Sequence, residues 1–216
     1  MACALSPQKP VALSDGYYDN KERMIGVYID NLPAADTYFP GASCLLCIAA
    51  ASAANSDLTD HVRTLTTEDV LAVKAELESI LTKKGVSYKF IDEPIDFSKL
   101  PKFSNGSKEG DFARSDFRQL KSNLGVDKLI VVDVNQLGVI RSYSAYVPTT
   151  DPLGYVYGYV ASVDLTTNKY DQYHTLNVRT AVKGEWDEPT TFPGVTTAYF
   201  QSIELMKKQV LESFDK

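Results

Sequence analysis

LIVVDVNQLGVIRSYSAYVPTTDPLGYVYGYVASVDLTTNKYDQYHTLNVRTAV, Leu129 to Val182, is the stretch that decides the fold. Its opening LIVVDV, Leu129–Val134, is a nearly continuous apolar run, the pattern of a central strand buried on both faces. Asn135–Gly138 reads as a hairpin turn and Val139–Val147 as a strand of mixed alternation. Asp151-Pro152-Leu153-Gly154 is a second turn, followed by a long strand over Tyr155–Leu165. Thr166–Lys169 makes a third turn, and YDQYHTLNVRTAV returns. The whole reads as an antiparallel meander.

Working outward, the first half has a different grammar. MIGVYI, Met24–Ile29, is a short apolar run and a first core strand. Asn31–Gly41, with Pro33 and Pro40, is a loop. Ser43 to about Ala54 reads as a helix of small residues. Val70, Val73, Leu77, Ile80 and Leu81 then mark one face of a second helix at intervals of three and four. Lys83 and Lys84 favour the negative end of its dipole, and Gly85 suits the left-handed terminating position. Val86–Ile91 follows as a strand, so a strand–helix–strand unit with a parallel crossover is expected. Glu93–Gly110, rich in Pro and Gly, is an excursion, and Ser115 can cap a short helix ended by Gly125. A last helix over about Val195–Phe214 places Tyr199, Ile203, Met206, Val210 and Phe214 on one side. The expected fold is mixed α/β: a central sheet with a parallel first half, an antiparallel meander second half, and helices packed on the sheet.

Composition is that of a globular chain. The 216 residues are 44% hydrophobic and 23% charged, with no internal repeat. A single domain of this size buries roughly 70% of its unfolded surface and needs no staples. We expect one α/β domain over residues 21–216 behind a flexible tether, residues 1–20. The formal charge of −6 and the scatter of Lys and Arg argue against a nucleic-acid partner. The uncharged stretch Thr37–Ser56 has a dense apolar part shorter than the roughly 20 residues a bilayer requires.

Cysteines supply two readings. Ala2-Cys3 precedes a polar, Pro-containing stretch, Ser6–Gly16, and so looks like the lipidated start of a bacterial lipoprotein; the alternative is a cytosolic start with an incidental cysteine. Cys44 and Cys47 form a C-x-x-C among Leu and Ile, which favours buried core thiols over a disulfide, and either over redox chemistry. Neither His61 nor His174 is spaced to complete a zinc site with them, so no metal is expected.

Catalytic patterns are missing from the sequence. There is no nucleophile elbow, no phosphate-cradling glycine loop, and Glu185, Asp187 and Glu188 around Trp186 are too close in sequence to form a glycosidase pair. Neither an enzyme nor a cofactor is expected. Tyr155, Tyr157 and Tyr159 recur at period two, so their rings share one side of one strand, with Tyr143 and Tyr170 expected on neighbouring strands. Such a face binds sugar or protein, or else packs beneath the last helix; the second is favoured because that helix needs an apolar landing.

LGVDKLIVVDVNQLG, the meander, YVASVDLTTNKY, the loop Gly184-Glu185-Trp186 and the terminal helix resemble, in element order over about residues 24–214, small periplasmic lipoproteins of Gram-negative bacteria whose fold is like the amino-terminal domain of TolB. Curli-secretion lipoproteins and activators of penicillin-binding proteins share that architecture. The resemblance implies a non-enzymatic, lipid-anchored envelope accessory protein in the periplasm, attached to the outer or inner membrane through lipid on Cys3 alone. Its partners would be envelope proteins or glycan, engaged by a face including Tyr143, Tyr155, Tyr157, Tyr159, Tyr170 and Trp186. Assembly into a homo-oligomer is expected of such proteins, without a legible interface. A soluble glycan- or ligand-binding module and a thiol-redox protein using Cys44 and Cys47 are the alternatives.

Overall fold

The computed structural model describes residues 7–104 and 111–215, so Cys3 lies outside the described residues. In chain order the elements are β1 (Met24–Ile29), β2 (Asp36–Tyr38), α1 (Leu45–Ala54), α2 (Ser56–Val62), α3 (Val73–Lys84), β3 (Ser87–Ile91), α4 (Leu120–Leu124), β4 (Lys128–Ile140), β5 (Tyr143–Ser144), β6 (Val147–Pro148), β7 (Leu153–Asp164), β8 (Tyr170–Ala181) and α5 (Pro193–Glu212). The main sheet runs β3-β1-β4-β7-β8, with β2 paired to the far half of β4. β1 is parallel to β3 and β4, while β4, β7 and β8 form the antiparallel meander. This is the mixed α/β sheet expected.

Each strand presents one face to the larger core. Ile130, Val132, Val134, Val156, Val160, Leu176 and Val178 meet Leu58, Val62, Val73, Leu77 and Leu81 from α2 and α3, and Tyr199, Ile203, Met206 and Val210 from α5. Among the described residues, the opposite face is covered at one end only. There Leu129, Val131, Val163 and Leu165 meet Phe117, Leu120 and Val126 from α4 and its approach. Asn168 fixes that cover: at φ 63° its side chain accepts from the Phe117 N–H and donates to the carbonyls of Ala113 and Ser115.

The expected turn at Asn135–Gly138 is absent, because β4 continues to Ile140 through a bulge between Val134 and Gln136. One extra residue restores the alternation, so Leu137 and Val139 rejoin the larger core instead of facing outward. The real hairpin is the small β5–β6 pair.

The expected tether boundary at residue 20 also moves. Val11 bridges Tyr173 on the outer edge of β8, and Ser14 bonds to the Asp171 carbonyl. Leu13 and Tyr17 are buried, and the Tyr17 hydroxyl lies 2.8 Å from that of Ser162. The buried Lys128 ammonium sits 4.0 Å from the Tyr17 ring centre and 3.0 Å from Asp171, a cation held by both a π face and a carboxylate. Apolar anchoring of this kind makes residues 11–19 part of the domain.

Candidate functional site

Glycine and tyrosine alternate along β7, and that alternation decides which side each takes. Gly154, Val156, Gly158 and Val160 share one face; a Cβ on Gly154 would come 2.1 Å from the Ala198 carbonyl oxygen, so α5 rests directly on this glycine. Tyr155, Tyr157 and Tyr159 therefore point the other way, away from α5. This overturns the expectation that they pack beneath the terminal helix.

The tyrosine face is a ladder rather than a row. Tyr155 and Tyr157 stack with ring centres 6.4 Å apart, and Tyr159 stacks on Tyr173 of β8 at 5.5 Å. Tyr170 meets Tyr173 edge-on at 5.1 Å, and Tyr38 of β2 meets Tyr155 at 5.7 Å. Register adds Asp133, Gln136, Thr175, Asn177 and Arg179 to the same face. Tyr155 is buried and Tyr159, Tyr170 and Tyr173 are partly so, while Tyr157 stands 38% exposed at the centre.

Electrostatics keep these rings neutral. Burial, reinforced by the Asp133 carboxylate, pushes the Tyr159 hydroxyl well above its ordinary range. Burial and neighbouring Tyr173 raise Tyr170 to about 12. Asp133 is itself raised by burial and by nearby Asp30, against the lowering effect of the bond donated by Tyr159. At neutral pH the tyrosines of this face offer protonated hydroxyls and flat rings.

At the β2 end the face opens into a cavity of about 710 Å³ whose walls include Asp36, Tyr38, Asp60, Arg63, Tyr155 and Arg179. Arg63 is paired with Asp36 at 3.1 Å, whereas Arg179 lies across the Tyr155 ring at 5.7 Å. Stacked rings beside hydroxyl, amide and charged groups can orient a polar ligand with apolar faces.

Two residues expected on this face are elsewhere. Tyr143 is buried against Ala42, Cys47 and Ala51, where its hydroxyl accepts from Asn55 at 2.7 Å and locks the α1–α2 junction. Trp186 packs on the larger core under the Arg141 guanidinium, 4.4 Å away. The strand period could not assign either, because Tyr143 follows the true end of β4 and Trp186 lies in a loop. Tyr38 and Tyr173 were missed; Tyr173, within the returning strand YDQYHTLNVRTAV, was the findable one.

The cysteine pair also departs from expectation. Cys44 and Cys47 are joined in a disulfide, and Cys44 is exposed rather than core. Cys44 caps α1, its sulfur receiving the Cys47 N–H at 2.9 Å. Among the described residues no cluster of His, Cys, Asp and Glu is placed to hold a metal, and no helix is long and apolar enough to cross a membrane.

No family model matches the sequence, and no curated protein does. Among solved structures, a PelC dodecamer from Paraburkholderia phytofirmans is similar at TM-score 0.36 and 7% identity, over 98% of this chain and 96% of that one. Lipoprotein GNA1162 from Neisseria meningitidis is similar at TM-score 0.32 and 12% identity, over 84% and 99%. The hypothetical protein CT253 from Chlamydia trachomatis is similar at TM-score 0.34 and 11% identity, over 89% and 98%. Likenesses this distant carry no functional argument.

Proposed function

We propose that this chain is a non-enzymatic accessory protein of the bacterial envelope that holds a glycan on its tyrosine face. The observation that carries the reading is the ladder itself: rings stacked on one another, turned away from α5 and left open between the cover anchored by Asn168 and the cavity beside Tyr155. Pyranose rings present apolar faces to such rings and hydroxyls to the Asp, Asn, Gln and Arg groups beside them. An exported location, with lipid on Cys3, accords with the Cys44–Cys47 disulfide, since disulfides persist in oxidising compartments.

Titration with chito-oligosaccharides and soluble peptidoglycan fragments, followed by ring resonances of the tyrosines, tests the site. Tyr157→Ala should weaken binding about tenfold, the equivalent of about 1.4 kcal/mol, and leave the melting temperature unchanged. Unaltered affinity would remove the ladder from the mechanism. Mass analysis of the amino terminus from envelope fractions tests Cys3 separately; an unmodified cysteine there ends the anchoring reading.

A second reading is favoured by the exposure of Cys44 at the start of α1, where the helix terminus stabilises a thiolate. A dithiol client would reduce the Cys44–Cys47 bond, taking two electrons and two protons from the client and leaving the client as a disulfide. Incubation with a dithiol peptide should then render both cysteines alkylatable; a disulfide that persists while the peptide stays reduced excludes this.

A further inference from the structure

α1 contradicts its own composition. The helix is LLCIAAASAA, apolar nearly throughout, yet it buries only Cys47 and Ala51. A helix with apolar residues all round normally lies inside a core. Here Leu45 is 84% and Leu46 70% exposed, and Ile48 is also exposed. At 100° per residue, Leu45, Leu46, Ala49 and Ala53 fall opposite the buried pair, so they form one outward face. The Cys44–Cys47 bond closes the first turn and fixes the two leucines between its ends. Beside that turn stands the β5–β6 hairpin, where Tyr146, its hydroxyl 3.6 Å from the Cys44 sulfur, and Val147 are exposed too.

We infer that this face is covered by a second copy of the same chain, with the two α1 helices packed antiparallel. Three features point to self-pairing. Bulk is graded along the helix, with leucines at the amino end and alanines at the carboxyl end. An antiparallel copy therefore sets Leu45 and Leu46 against Ala49 and Ala53, which is the self-complementarity a two-fold interface requires. Charge is the second feature: no Asp, Glu, Lys or Arg occurs from Thr37 to Ser56, so two chains of net charge −6 can meet there without like charges opposed. The third is size. Leu45, Leu46, Tyr146 and Val147 expose on the order of 500 Å², and with the alanines the face approaches the roughly 800 Å² per partner of a stable interface. This inference is independent of the glycan reading, because the face includes neither the tyrosine ladder nor Ile48, which lines the cavity beside it.

Sedimentation velocity of the whole chain from about 1 to 200 μM tests it, alongside co-sedimentation with phosphatidylcholine vesicles. We expect a concentration-dependent dimer in the wild type. Leu46→Glu should shift the dimer dissociation constant upward at least a hundredfold with an unchanged far-UV spectrum, since its side chain is already largely in water. A wild-type chain that stays monomeric throughout overturns the inference, as does a dimer indifferent to Leu46→Glu. So does a monomer that binds vesicles through Leu45 and Leu46, which would assign the face to lipid.

Discussion

Gly154→Ala puts a number on how closely α5 is docked. The added Cβ would lie 2.1 Å from the Ala198 carbonyl oxygen, 2.4 Å from its carbon and 2.9 Å from the Tyr199 nitrogen, all backbone atoms of a buried helical turn. No rotamer change relieves such a contact; α5 must lift by about 1 Å, and a gap of that size forfeits a quarter to a half of each dispersion contact it opens. The contacts at risk are those of Val195, Tyr199 and Ile203 with Val156, Val160 and Val178. Overpacking of this kind costs about 1–3 kcal/mol. The entropic gain of replacing glycine returns about 0.4–1 kcal/mol, leaving a net loss of about 1.3 kcal/mol at the middle of these ranges. For a domain of this length that lowers the melting temperature by about 3–5 °C. Thermal unfolding followed by circular dichroism measures it. Gly184→Ala, where nothing lies within 4 Å of the new Cβ, provides the comparison: its φ of 86° makes alanine strained without any clash. A Gly154→Ala protein as stable as the wild type would mean that α5 does not rest on this glycine, and the assignment of the tyrosines to the opposite face would fall with it.

Asn168→Ala should cost about 2–4 kcal/mol, since it strips partners from a fully buried amide and its bonded backbone groups; hydrogen exchange should quicken first in residues 111–124, and uniform quickening would contradict the local role. Deleting residues 1–9 should leave unfolding by urea unchanged, whereas Tyr17→Ala should cost about 3–5 kcal/mol by emptying a core site; equal effects would restore the tether boundary at residue 20. Asp133→Asn should stabilise the protein at pH 7 by less than about 1 kcal/mol. The folded-state value of this carboxyl is raised, so its ionised form costs stability at neutral pH, and the cost fades as pH falls through that raised value. Variant and wild type should accordingly converge in acid, and a difference that grows in acid instead would reverse the sign of the argument.

Much of this molecule is legible in its residues, for identifiable reasons. Met24–Ile29 is a strand with the bounds its apolar run proposes, and α3 ends at Gly85 in the left-handed conformation its position requires. Period-two tyrosines do share a face. What the period leaves open is which layer that face meets, and the missing clue was the partner set on the same strand: Gly154 and Gly158 admit a close backbone where tyrosine could not. The bulge after Val134 defeated a turn reading because Asn-Gln-Leu-Gly has turn chemistry, while the burial of Leu137 and Val139 outweighs it. Cys44 and Cys47 were read from leucine neighbours as core; Cys47 is buried, but Cys44 and those leucines face solvent, and no one-chain hydrophobicity argument anticipates an apolar helix left outside.

The clip formed by Val11, Leu13 and Tyr17 also sets a path for mechanical load. Tension applied at the amino terminus reaches the β8 edge first at the Val11–Tyr173 bridge, then the buried Tyr17 ring under Lys128. The first fastening lies on the sheet edge, whereas the second reaches Lys128 of β4 and Ser162 of β7, so load passes from the edge into the inner strands. Because Tyr173 is also a rung of the tyrosine ladder, a pull on the amino terminus would be felt directly at the proposed binding face.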